Sequence, residues 1–169
     1  MVVLNERIDV TYTRVQDEVA IDSFFEIAEK VLSVILKFFN GKANRLATNI
    51  EYIVPCDLSS SKRLCQKFIY SFHSSGDKQI IEWAYRTNLL STIAIKGREE
   101  NLNTITSIST AVNQKMGPVI VCHIDINTMP LLTESRFSAD DLESFVDGTL
   151  EIAKQIAKDA EVLVSSDKE

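Results

Sequence analysis

The amino-acid sequence predicts one α+β domain, in which a twisted antiparallel sheet of about five strands carries two long helices on one face. Three features favour this fold: segments of alternating apolar and polar residues, two longer segments with helical spacing, and short turns between the last strands. Strands joined by short turns pair as antiparallel hairpins. Amphipathic helices then bury their apolar sides against the sheet.

Size and charge narrow the class of protein. The 169 residues correspond to a single domain, residues 1–164, followed by a frayed tail at residues 165–169. A net charge of −6 repels phosphate backbones, so we expect no nucleic-acid partner. The sequence has neither an apolar span nor a secretory signal, so we expect no membrane partner and a cytoplasmic location. The three cysteines favour free thiols in a reducing compartment.

Alternation along the chain predicts the strands. They are residues 8–12, with residues 2–4 as a possible extension, then residues 46–54, 81–89, 101–113 and 119–126. Residues 93–95 either continue the third of these strands or restart it. That strand carries Trp83 and Tyr85 on one face, which gives it a large aromatic surface.

Helical spacing predicts a long helix over residues 23–39. Ser23 and Glu26 match a capping box at its start, and Gly41 follows its end. Apolar residues occupy more than one of its faces. A helix with so wide an apolar arc is either sandwiched between other elements or placed in a subunit interface.

Two further helices follow. A short one covers residues 64–72, although residues 68–72 fit a strand as well. The last helix, over residues 142–163, follows a cap at Ser138. Gly148 interrupts it at a cost in helix propensity.

The candidate binding residues lie on two of the strands. They are Trp83, Tyr85, Glu82, Arg86, His123 and Asp125. The two aromatic residues favour a core or an interface position, while Glu82 and Arg86 share the opposite face and suit an ion pair or a polar ligand. His123 and Asp125 point to one face, as residues two apart in a strand do.

The sequence contains no complete catalytic or metal-binding motif. It lacks a glycine-rich phosphate loop, a Gly-x-Ser-x-Gly turn and a His-Glu-x-x-His pair, so we expect no catalytic residue, no metal and no cofactor. The open alternative is a hydrolase-type enzyme or a small-ligand-binding protein. In the enzyme, His123 would act as the base for Cys56 or Ser59 across the sheet.

Two pieces of the chain resemble a sporadically distributed bacterial family with no assigned activity. The first is Asn44-Arg45-Leu46 through Ile50-Glu51-Tyr52-Ile53 after the long helix, and the second is His123-Ile124-Asp125-Ile126 before the last helix. In that family an Arg-containing strand with an aromatic residue follows a helix, and an aliphatic-Asp-aliphatic strand leads to the last helix. The resemblance implies a prokaryotic setting and assigns no functional residue.

These observations together favour a non-enzymatic protein-interaction domain of prokaryotic or phage origin. Such a chain would be a subunit, an inhibitor or an accessory factor that binds another protein. Excess apolar surface on the helix at residues 23–39, or the Thr-rich strand face, predicts that the chain also forms a twofold homodimer.

Overall fold

The computed structural model describes residues 8–12, 21–69, 82–129 and 134–165. Within these residues the chain forms one antiparallel sheet of four strands and three helices, two of which are long. In chain order the elements are α1 (Ile21–Phe38), β1 (Ala47–Pro55), α2 (Leu58–Ile69), β2 (Ala84–Ile95), β3 (Arg98–Asn113), β4 (Gly117–Thr128), a 3-10 turn (Ala139–Asp141) and α3 (Leu142–Ser165). The predicted α+β class is confirmed.

The expected fifth strand is not formed. Residues 8–12 lie outside the sheet, although their apolar and polar residues alternate. The ring of Tyr12 instead stacks on Phe24 of α1, with 5.6 Å between the ring centroids. Alternation predicts a strand only where another strand offers a hydrogen-bonding edge, and this segment contacts a helix. The possible extension at residues 2–4 lies outside the described residues.

The structure assigns some of the residues whose secondary structure the sequence left open, at residues 93–95 and 68–72. Strand β2 is continuous, so residues 93–95 belong to it. Residues 68–69 end α2 as helix, while residues 70–72 lie outside the described part of the chain. Helix α2 begins earlier than predicted, at Leu58. The Ser59 hydroxyl donates a hydrogen bond of 2.7 Å to the carboxylate of Asp57, which lies just before the helix.

The sheet has the strand order β1-β4-β3-β2, and every pair is antiparallel. Strands β1 and β2 therefore lie at its two edges. All three helices pack on one face. Helix α3 lies directly on that face, where Thr149 and Thr48 of β1 share a hydrogen bond of 3.1 Å between their Oγ1 atoms. The core beneath it contains Ile124 and Ile126 of β4, both fully buried.

The other two helices complete this layer. Helix α1 packs against α3, and Asp22 of α1 lies 2.5 Å from the Nζ atom of Lys154. Helix α2 covers the opposite end of the sheet and forms a second core cluster. That cluster consists of Leu64, Cys65, Trp83 and Ile120.

Gly148 marks the closest approach of α3 to the sheet. A Cβ atom placed on Gly148 would lie 2.6 Å from the Cδ1 atom and 3.2 Å from the Cγ1 atom of Ile93 on β2. Both distances are shorter than ordinary van der Waals contact. Gly148 lowers the helix propensity of α3, but its lack of a side chain leaves room for Ile93 of β2.

Arg136 connects three parts of the chain through one buried side chain. Its Nη1 and Nη2 atoms donate hydrogen bonds of 2.6 Å to the carbonyl oxygens of Asn44 and Met129. Its Nε atom lies 3.1 Å from the carboxylate of Glu100, and both side chains are nearly buried. The guanidinium also stacks over Phe137, 4.3 Å from the ring centroid, as a cation–π contact.

The start of the last helix is held by a second ion pair. The carboxylate of Asp141 accepts hydrogen bonds of 2.8 Å from the backbone N–H and the hydroxyl of Ser138, and one of 2.8 Å from Arg98. Burial raises the pKa of Asp141, but these hydrogen bonds and the charge of Arg98 outweigh it, so the pKa lies below its ordinary value. Asp141 therefore stabilises the fold above its unfolded pKa, and this contribution is lost as the pH falls through the folded pKa.

We predict that Gly148→Ala gains less than the ~1 kcal/mol expected from helix propensity alone, because the Ile93 side chain must shift to admit the new methyl group. The same substitution in an Ile93→Ala background should be stabilising, since the clashing atoms are absent. Urea denaturation measures both effects. Gly41→Ala is the control, because its Cβ atom would meet no atom closer than 3.8 Å. Equal effects of Gly148→Ala in the two backgrounds would contradict the contact.

We predict that Arg136→Met costs about 3–5 kcal/mol of unfolding free energy, because it leaves the carboxylate of Glu100 buried without its partner. The double variant Arg136→Met/Glu100→Gln should recover part of the loss. Lys30→Met, which removes an exposed ion pair with Glu26, should cost less than about 0.5 kcal/mol. Thermal and urea unfolding provide the comparison, and an Arg136 effect as small as that of Lys30 would refute the role of the buried network.

Candidate functional site

Trp83 lies in the core between α2 and the sheet. Its side chain is only 6% exposed, and its indole Nε1–H donates a hydrogen bond of 3.3 Å to the Ser61 hydroxyl on α2. Leu64 and Ile120 complete its surroundings. Of the two positions that the sequence favoured for this residue, it occupies the core, so it is not accessible to a partner.

Tyr85 lies on the same face of the sheet as the helices, but near its uncovered edge. It belongs to β2, pairs with Ile108 of β3 and is partly exposed. Glu82 precedes β2 and is exposed. Arg86 points to the opposite face from Tyr85, as strand alternation predicts.

A polar row crosses the face of the sheet that no described helix covers. In the strand register, Glu51 of β1 lies opposite His123 of β4, His123 lies opposite Ser107 of β3, and Ser107 lies opposite Arg86 of β2. Directly opposed residues in antiparallel strands have Cβ atoms about 4.5–5.5 Å apart. The fold therefore aligns His123 and Arg86, two of the predicted residues, in one row with a carboxylate at its end.

Asp125 lies on the same face, two positions along β4 from His123. Its carboxylate accepts a hydrogen bond of 2.9 Å from the amide of Asn127, which is its next neighbour on that face. Within the described residues, no three His, Cys, Asp or Glu side chains come close enough together to hold a metal ion. The row can form polar contacts with a ligand, and in it the His123 imidazole lies between the carboxylate of Glu51 and the hydroxyl of Ser107.

The structure does not bring His123 together with Cys56 or Ser59. The backbone N–H of Cys56 donates to the carbonyl of Pro118, which lies five residues from His123 along β4, about 16 Å at the rise of a strand. The Cys56 side chain also packs with the α2 cluster, on the opposite face from His123. Ser59 is exposed on α2 and donates to Asp57.

A line of exposed apolar side chains lies on α1. Its outer side exposes Ile27, Val31, Val34 and Phe38, with Val34 66% exposed and Phe38 more so. Phe25 is buried on the inner side. Helix α1 therefore has one apolar side for the core and a second one that the described structure leaves open; we call these four residues the α1 stripe.

The sequence predicted the apolar excess of this helix but not the residues that remain exposed. A wide apolar arc does not identify the side that faces the core. The useful signal is the spacing of residues 27, 31, 34 and 38, which alternates between four and three positions as the apolar residues of helix-pairing surfaces do. Leu32 and Leu36, which pack against the core, follow a different line along the helix.

A groove of about 210 Å³ lies between α1 and α3, on the other side of α1 from the stripe. Its lining residues are five carboxylates and three apolar side chains, namely Asp22, Glu26, Glu29, Glu143, Asp147, Phe25, Val146 and Leu150. Lys154 and Lys30 each pair with one of these carboxylates. The groove is therefore strongly acidic, with an apolar floor formed by the three hydrophobic side chains.

No protein-family model matches the chain, and no curated protein matches it. Within the described residues, no helix has the length and apolar character that a bilayer crossing requires.

We predict that the Cys56 thiol reacts no faster than an ordinary thiol and is not an activated catalytic nucleophile. Burial, and the charge of Asp57 beside it, raise the pKa of this thiol, which lowers its thiolate fraction near neutral pH. Iodoacetamide should therefore alkylate native Cys56 more slowly than the same residue in the unfolded chain, with a rate that increases as the pH rises. Peptide mass spectrometry measures the rates. Faster alkylation in the native state would contradict this and favour the enzyme alternative.

Proposed function

We propose that this chain is a non-enzymatic protein-interaction domain that binds a helix of another protein through the α1 stripe. One observation carries the proposal: a long helix already packed against the core by one side exposes a second apolar side, with four large residues in line. Isolated exposed apolar residues are common, but contiguous exposed apolar surfaces mark interaction sites.

The spacing of the stripe specifies the kind of partner. Apolar residues that alternate between three and four positions apart stay in line along a helix when a second helix coils gently around it. A strand or a loop has no repeat that matches this line. The complementary surface is therefore an amphipathic helix with its own apolar residues at the same repeat.

The charges beside the stripe specify the partner further. Lys30 lies about one helical turn from both Ile27 and Val34, and Lys37 lies one turn beyond Val34 on the same flank. Both lysines are exposed. A partner helix with acidic residues next to its apolar line would pair with them, whereas two antiparallel copies of α1 would bring the lysines together.

The distribution of polar groups supports binding rather than catalysis. His123 and Cys56 lie on opposite faces of the sheet, and the acidic groove holds no nucleophile. An enzyme needs such groups to converge in one pocket. We place the domain in a prokaryotic or phage setting, as a cytoplasmic subunit, inhibitor or accessory factor, on the basis of its sequence.

The proposal predicts selective binding of a designed helical peptide. The probe is an amphipathic peptide of about three heptads, with leucine and isoleucine at the apolar positions and glutamate beside them. A second peptide carries lysine in place of glutamate. Fluorescence anisotropy should show that the acidic peptide binds at least about tenfold more tightly, because only its flanks complement Lys30 and Lys37.

Two variants of the protein distinguish binding at the α1 stripe from nonspecific hydrophobic binding. Val34→Glu places a charge in the stripe and should weaken binding of the acidic peptide about tenfold or more. Val112→Glu is the matched control, because Val112 is 82% exposed and lies on β3, away from α1. Circular dichroism verifies the fold of both. Equal binding by the two variants, or equal binding of the two peptides, would refute the proposed surface.

A further inference from the structure

We propose that the outer edge of β2 pairs with β2 of a second copy of this chain, so that two four-stranded sheets join into one continuous sheet of eight strands. This goes beyond the proposed function and uses a different surface from the α1 stripe. It specifies where the homodimer forms. The pairing is antiparallel about a twofold axis perpendicular to the sheet, with Leu89 opposite its own counterpart.

Strand β2 lies at one edge of the sheet that the described residues form. It pairs with β3 through twelve consecutive residues, Ala84–Ile95, and no described strand pairs with its other side. Within these residues the register has no bulge, the sequence has no proline, and Arg86 is the single charged residue. Soluble proteins usually interrupt exposed edges with bulges, prolines or charged residues, because a row of unpaired N–H and C=O groups along an edge recruits another strand.

The other edge of the sheet, β1, also pairs without a bulge and carries a single charged residue, but it is shorter and contains a proline. Strand β1 is shorter, ends at Pro55 and carries Glu51 in its middle. Proline opposes strand addition, so the shorter β1 edge, which ends at Pro55, is less open to a second strand than β2.

The side chains of β2 complement one another in this register. With Leu89 at the twofold axis, Tyr85 lies opposite Ile93 of the second copy, and Thr87 lies opposite Ser91. Paired residues in an antiparallel sheet share a face, and every pair in this register meets that requirement. Aromatic–β-branched and Thr–Ser pairs are among the favourable cross-strand pairs. Leu89 is 62% exposed in the single chain, and the pairing would cover it.

Charge and hydrogen bonding are both compatible with the pairing. Two copies that each carry a net charge of −6 repel one another, so contact is favoured where acids are absent, and β2 contains none. The two Arg86 side chains would be separated by about six residues, or about 20 Å, which exceeds the screening length of about 8 Å at physiological salt. Pairing over residues 84–94 would form about ten backbone hydrogen bonds, the number found in a typical stable interface.

The test uses charge reversal at the twofold position. Sedimentation equilibrium at micromolar concentration should give about 38 kDa for the native chain, twice the 19.0 kDa of one copy. Leu89→Lys and Leu89→Glu should each give the mass of a single copy, because like charges would lie directly opposite. An equimolar mixture of the two variants should recover the dimer mass. Only a pairing in which residue 89 faces its own counterpart predicts that recovery.

Control variants separate this surface from others. Val34→Glu in the α1 stripe and Val112→Lys on β3 should both retain the dimer mass, so a failure of peptide binding at α1 leaves this proposal intact. Hydrogen–deuterium exchange of the native chain adds a measurement without substitutions: amide protection at residues 84–95 should rise with protein concentration. A monomeric native chain, a dimer that survives Leu89→Lys, or a mixture that stays monomeric would overturn the proposal.

Discussion

The buried guanidinium of Arg136 ties together segments that are far apart in the sequence. Its Nε, Nη1 and Nη2 atoms contact a carboxylate and two carbonyl groups, while its flat face lies over an aromatic ring. A lysine provides a point charge and lacks the planar fork that these contacts need. One side chain thus joins the end of the α1–β1 connection, the end of β4 and the start of the last helix.

The backbone beside Arg136 extends this connection. Phe137 and Ala43 form an isolated antiparallel bridge, with hydrogen bonds of 2.7 and 2.9 Å between their backbone groups. Phe137 itself is fully buried in the main core. Because Ala43 follows α1 and Phe137 precedes α3, the bridge holds the adjoining ends of the two long helices together. The side of α1 that faces the core is therefore determined, and the α1 stripe is left on the outside.

The sequence predicts those elements whose residue pattern fits only one kind of secondary structure. The helices at residues 21–38 and 142–165 and the strands from Ala84 to Thr128 follow from periodicity, with small differences at their ends. Residues 8–12 show the limit of this reasoning, since alternation describes side chains and says nothing about the presence of a neighbouring strand. Arg136 carries no sequence signal, because its partners lie up to 92 positions away.

The candidate site, like the fold, could be predicted from the sequence only in part. Alternation placed His123 and Asp125 on one face of their strand and Arg86 opposite Tyr85 on another strand, but the register that aligns His123 with Arg86 depends on the whole sheet. Trp83 illustrates the opposite case. An aromatic residue in a strand suits a core as well as an interface, and only the position of α2 decides that it is buried. Gly148 likewise has no evident role until the approach of Ile93 is known.

The two proposed surfaces are geometrically compatible. A twofold axis perpendicular to the sheet keeps the faces of both copies aligned, so the helical layers of the two copies lie on the same side of the joined sheet. Each copy then contributes one α1 stripe to that side. A partner with two suitable helices would bind the second stripe at a high effective concentration once the first is occupied. Self-association through β2 would therefore strengthen binding at α1 without any additional contact, which gives the dimer a role in the interaction that we propose for this domain.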